Sequence, residues 1–178
     1  MPMPLREELD ALIRISCPSK FKREFDRIQR EYNHTVTIPE ADNVPFDTYN
    51  CYAFALKLAD HELYKRLVKQ HSTPSENASA LANSAFVETL LSQNELQEID
   101  STQKPEAGDI VLYFAQGKIQ HAAIIVADDR LQSKWGTCEL YQHALWEVPA
   151  SYGDQVRHFK APATDHIIGL LQRSVKPS

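Results

Sequence analysis

The sequence predicts an α+β fold in which helices come first and an antiparallel sheet follows. Two observations carry this. Through the first half, apolar residues recur at helical spacing between Pro, Ser and Asn breaks. From Gly108 onward the pattern changes to runs of β-branched and aromatic residues separated by Gln116-Gly117, Asp128-Asp129 and Ser151-Tyr152-Gly153. No repeat, low-complexity tract or linker divides the 178 residues, so one domain over 1–178 is expected.

The elements follow in order. Leu5, Leu9, Leu12 and Ile13 predict a first helix; Pro18-Ser19 breaks it, and Phe21, Phe25 and Ile28 resume the pattern. Together they form a helical N-terminal extension over 1–35, with the alternating charges of 20–31 as a solvated face. Val36 and Ile38 alternate with threonines as in a short strand, and Pro39 and Pro45 punctuate the approach to the core, 47–160. Thr48 and Asn50 are capping-type residues ahead of an apolar run, which predicts a buried helix from Cys51 to Leu67 or Val68, stopped by 72–75. A second helix is expected over 77–93 and a polar loop over 94–106. Strands are expected at 109–114, 118–127, 130–135 and 155–160, with 141–148 ambiguous and a short helix in the tail, 161–178.

Composition bounds the function. The chain is 43% apolar and 24% charged, enough for a core of ordinary size. A net charge of -5, without a basic stripe and interleaved aromatics, argues against a nucleic-acid partner. No apolar run reaches membrane-spanning length, so no membrane partner is expected. Arg6, Glu7, Glu8, Asp10 and Arg14 rule out a signal peptide, which implies a protein cytoplasmic as synthesised, with export by a signal-independent secretion system left open. Three cysteines (Cys17, Cys51, Cys138) and seven histidines show no metal-ligand spacing, so neither a metal nor a cofactor is expected.

The chemistry centres on Cys51. A thiol in the first turn of a helix meets unpaired backbone N–H groups and the positive end of the dipole, which favour a thiolate. The plainer reading is a small core residue. His121 is the expected partner, on a strand where Ala122 and Ala123 leave room beside it. It also reads as an edge-strand histidine meeting a backbone carbonyl. If paired, the two side chains lie within hydrogen-bond reach or slightly beyond; the imidazole takes the thiol proton and the thiolate attacks an acyl carbon. Asn50 and Gln120 lie near enough in sequence to donate to an oxyanion.

Tyr49-Asn50-Cys51-x-Ala53-x-Ala55, Pro105-x-x-Gly108-Asp109, His121-Ala122-Ala123 and Ser133-Lys134-Trp135-Gly136 resemble the papain-like superfamily of cysteine hydrolases. The order of cysteine helix before histidine strand is shared with papain, NlpC-type cell-wall endopeptidases and CHAP amidases. With His143 and Tyr152-Gly153 added, the set is most similar to a largely uncharacterised bacterial papain-like domain family, over 49–160 without the helical stretch between. The resemblance implies a papain-like (NlpC-type) fold, with the nucleophile at the start of a buried helix packed on a small antiparallel sheet.

It also implies a third catalytic residue that orients the imidazole. By the Trp135-Gly136 landmark this falls on Ser133, and His143 is the alternative. A two-residue turn at Asp128-Asp129 would put Ser133 on the face opposite His121; a longer loop or a bulge would put them on the same face. Lys134 reads as a surface lysine, or as a contact for a substrate carboxylate. Trp135 reads as core; under the resemblance it shields the His121 bond from water, and Asn50, Gln120, Lys134 and Trp135 are the expected substrate-binding residues. Cys17 reads as structural or incidental, and Cys138 as a bystander or, from its place near the return strand, a redox contact for Cys51.

The expected function is a cysteine-nucleophile amide hydrolase, a peptidase or amidase. The resemblance suggests peptidoglycan stem peptides as substrate, for a signal-less effector or toxin with an inhibitory immunity protein as partner. The alternatives are a non-catalytic binding module that retains the fold, and a cytoplasmic deamidase or acyltransferase.

Overall fold

Leu9, Leu12 and Ile28 are the buried positions of two N-terminal helices, α1 (Leu5–Leu12) and α2 (Pro18–Glu31), in the computed structural model, which describes residues 4–39, 49–71, 81–136 and 139–175. Pro18 opens α2 at a position where its missing N–H costs nothing. Arg27 on α2 meets Glu8 on α1 as well as Glu24 and Glu31 on its own helix. Part of the charged face expected to be solvated therefore ties the two helices together. The short strand expected around Val36 is reduced to one bridge, Thr37 with Gln142.

The helix that begins at Cys51 is far shorter than expected. α3 runs only Cys51–Ala55, and α4 (Glu62–His71) follows after a break. The chain turns at Lys57, which has a left-handed φ of 56°, and Leu58 N–H closes back on Ala53 O at 2.8 Å. The apolar run continues through Leu56 and Leu58 because both are buried in this turn. α5 (Ser84–Ser92) starts at the Asn83 cap, whose side chain accepts from Phe86 N–H. The expected stop at 72–75 and the start at 77 lie outside the described residues.

The sheet is built from β1 (Ile110–Ala115), β2 (Lys118–Ala127), β3 (Arg130–Lys134), β4 (Leu140–His143) and β5 (Gln155–Phe159), in the order β4-β3-β2-β1-β5, antiparallel throughout. The fold is thus α+β with a five-stranded antiparallel sheet. The ambiguous 141–148 segment contributes β4. β5 returns to the free side of β1, and α6 (Thr164–Val175) closes the chain.

Helices cover both faces. Ile110, Leu112, Phe114, Ile119, Ala122 and Phe159 belong to one apolar layer with residues of α3 to α6. Val111, Tyr113, Ala123, Ile125, Leu131, Trp135 and Tyr141 belong to the other, with α1 and α2. Two bulges in β2 adjust which side chains reach each layer. Tyr113 pairs with His121 but Phe114 with Ile119, leaving Gln120 as the extra residue. Ile125 pairs with Leu131 but Ala127 with Arg130, leaving Val126 extra. Among the described residues, no helix is long and apolar enough to cross a membrane.

Candidate functional site

Asn50 sets the start of α3. Its side-chain oxygen accepts from Ala53 N–H at 2.8 Å, and its amide nitrogen donates to Ala82 O at 2.8 Å. Asn50 therefore anchors the helix start with its oxygen and with one N–H of its amide. Cys51 follows in the first turn, half-buried, and packs on the apolar layer beneath α3.

The surroundings of the thiol work in two directions. Burial raises its pKa to about 11. Against this, the backbone N–H groups of Ala122, Tyr52 and Cys51 and the charge of Lys134 act to lower it. The net result is a neutral thiol at neutral pH. Ala122 is the residue after His121, so the thiol lies beside the 121–122 step of β2.

His121 turns the other way. Its ring stacks on Tyr152, centroids 3.9 Å apart and planes 12° from parallel, with Tyr113 at 5.7 Å. Tyr152 and Tyr113 belong to the apolar layer on the α1–α2 side of the sheet, whereas Cys51 packs in the layer on the opposite side. No hydrogen bond joins the thiol to the imidazole, so the expected direct bond is not formed. The His121 Nε2 atom is buried without a partner. Burial holds the imidazole pKa well below its ordinary value, and the proximity of His143 pushes the same way, so the ring is neutral.

The bulge at Val126 answers the parity question. The turn is the two-residue one, with Ala127 opposite Arg130, yet Ser133 reaches the layer that holds His121, Trp135 and Tyr141. It does not bond His121. Ser133 and His143, the two rivals for the orienting role, are partners of each other, with Oγ and Nε2 at 2.8 Å. The protons can be assigned in sequence. His143 Nδ1–H donates to Ala144 O at 2.8 Å, leaving Nε2 to accept from the Ser133 hydroxyl. Ser133 Oγ then accepts from Trp135 Nε1–H at 2.9 Å. Burial holds His143 at a pKa of about 4, consistent with a neutral ring. Trp135 thus covers the Ser133–His143 bond, not a bond to His121, and stacks on Tyr141 at 4.1 Å.

Lys134 is not a surface lysine. It is buried, and its ammonium group sits 5.2 Å from the centre of the Tyr49 ring, on the Cys51 side of the sheet. Gln120 is exposed in its bulge. Cys17 is exposed, and Cys138 lies outside the described residues. Among the described residues no three His, Cys, Asp or Glu side chains gather as a metal site would need.

Two features here escape a reading of the sequence. Tyr49 beneath Lys134 and Tyr152 against His121 are both aromatic neighbours from distant segments. The Tyr152-Gly153 pair is noticeable as a turn, but a turn signal carries no information about what the ring touches.

The model of a family described as a domain of unknown function (DUF7689) matches residues 41–160. No curated protein and no solved structure matches the chain. The chain belongs to the DUF7689 family.

Proposed function

We propose that this chain, a member of a family without an assigned activity, is a cysteine-nucleophile amide hydrolase with Cys51 as nucleophile and His121 as base. One observation carries the reading. The thiol at the start of α3 has the backbone N–H groups of Cys51, Tyr52 and Ala122 acting to lower its pKa against burial, the last from the residue next to a buried imidazole whose Nε2 has no partner. Donors of this kind favour a thiolate once the proton has left, and a neutral imidazole can accept that proton.

The reaction starts from a neutral thiol and a neutral ring. The step requires the His121 ring to leave the α1–α2 layer and reach the sulfur; the proton then passes from Sγ to the imidazole as sulfur bonds to the amide carbon and the carbonyl electrons move to oxygen. Backbone N–H at the helix start stabilises that oxyanion. The imidazolium then protonates the amide nitrogen as the C–N bond breaks, leaving a thioester. Water, deprotonated by His121, hydrolyses the thioester and restores the thiol. The positive charge of Lys134 favours every anionic stage. Peptidoglycan stem peptides, delivery as an effector and restraint by an immunity protein are the substrate and partner classes that follow from the resemblance to NlpC-type enzymes.

The test is turnover of peptidoglycan fragments and of short peptides by the wild type and Cys51→Ala. Cleavage lost in Cys51→Ala, with folding retained, supports the reading. Equal cleavage by both proteins contradicts it. A second reading, a binding module that keeps the fold without turnover, is favoured by the missing thiol–imidazole bond and by the thiol pKa of about 11. It predicts that Cys51→Ala changes no measurable activity.

A further inference from the structure

In cysteine hydrolases of the proposed type, the imidazole needs a fixed plane, because a ring free to turn offers the wrong nitrogen. The two residues that could orient it by hydrogen bonding, Ser133 and His143, are committed to each other. We propose that Tyr152 fixes the imidazole plane of His121 by face-to-face stacking on the α1–α2 side of the sheet, and that α1 holds Tyr152 in place. The catalytic consequence rests on the hydrolase reading; the stacking role does not.

The ring faces are close and nearly parallel, at 3.9 Å and 12°. Rotation of the imidazole out of this plane would drive its edge into the tyrosine. Tyr113 of β1 approaches at 5.7 Å from another direction, and His143 of β4 is the other titratable group acting on the ring. Two aromatic rings thus flank the imidazole.

Tyr152 itself ends a 3-10 turn, Ala150–Tyr152, which α1 grips from both ends. Arg6 donates from Nε to Val148 O at 3.1 Å, and from Nη2 to Pro149 O at 3.3 Å and to Gly153 O. Asp10 accepts from both the backbone N–H and the hydroxyl of Ser151. On the far side, Gly153 seats the turn against β1. Its φ is +105°, and a Cβ there would lie 2.0 Å from Phe114 O. Asp154 N–H donates to the same carbonyl at 3.1 Å. Both Arg6 and Asp10 lie outside the residues that the family model matches, so a segment beyond the matched core sets the geometry of its histidine.

The experiment uses the full chain labelled with 15N in its histidine rings, as wild type, Tyr152→Phe, Tyr152→Leu and Arg6→Gln, with thermal unfolding recorded for each. Ring-nitrogen spectra at pH 7 report the tautomer of His121, assigned by loss of its signals in His121→Ala. Wild type and Tyr152→Phe are expected to give sharp signals of one neutral tautomer. Tyr152→Leu and Arg6→Gln are expected to give averaged or broadened signals. Wild-type nitrogen signals in a folded Tyr152→Leu would overturn the proposal. If that variant does not fold, wild-type signals in Arg6→Gln overturn it equally. Failure of the hydrolase reading looks different: Cys51 alkylation would be unchanged in His121→Ala, whatever the Tyr152 variants do.

Discussion

Asn50 and His143 illustrate how far single residues can be read. Asn50 uses both ends of its amide, on Ala53 N–H and Ala82 O. Asn50→Ala should cost about 1–2 kcal/mol through the lost cap. Asn50→Asp keeps the acceptor and loses only the donor, so its urea midpoint should fall between those of the wild type and Asn50→Ala. The capping role was legible, because Asn before an apolar run is a local signal. The tether to Ala82 was not, since it spans 32 residues. His143 makes a pH prediction. Its folded pKa of about 4 lies below the ordinary value of 6.5, so the unfolded chain takes up the proton first. Stability from this group is therefore complete above pH 6.5 and is lost as pH falls through 4, by about 3 kcal/mol in all. Urea unfolding at pH 7 and pH 4.5 should show the loss in the wild type and a smaller one in His143→Gln; equal losses would show that His143 does not carry it.

At the scale of elements, the types were readable and the irregularities were not. Strands from 109 to 134 announce themselves by β-branched and aromatic runs, and Asp128-Asp129 is a turn on sight. The bulges at Gln120 and Val126 leave no trace in composition, yet they decide that Ile119 and Ala122 share one layer and that Ser133 joins the layer of His121. The length of α3 was missed for a related reason. A continuous apolar run has no period, so it cannot reveal that the chain leaves the helix at Leu56 and turns left-handed at Lys57. Gly153 was legible as a turn glycine, and its close approach to β1 makes a sharp prediction. Gly153→Ala must displace the Phe114 carbonyl or the turn carrying Tyr152, at a cost of about 3 kcal/mol. Thermal unfolding measures this; a melting temperature equal to wild type would contradict the close packing of this turn.

Across the whole molecule, the sheet acts as the partition on which the candidate site is assembled. Helices on one face deliver Cys51 and Tyr49; the turn held by α1 on the other face delivers Tyr152 to His121. The order of helices before sheet was readable, because each half has its own periodicity. The placement of thiol and imidazole in opposite layers was not, because it depends on the β2 register. The proposed hydrolase reading requires these groups to act as one pair at the 121–122 step. Alone, a thiol with a pKa of about 11 is ionised in only about one molecule in 10⁴ at pH 7. The most direct test is the rate of iodoacetamide alkylation at pH 7, mapped by mass spectrometry at Cys51 and at exposed Cys17, in wild type and His121→Ala. The account predicts that His121→Ala slows Cys51 at least ~10-fold and leaves Cys17 unchanged; equal Cys51 rates in the two proteins would contradict it.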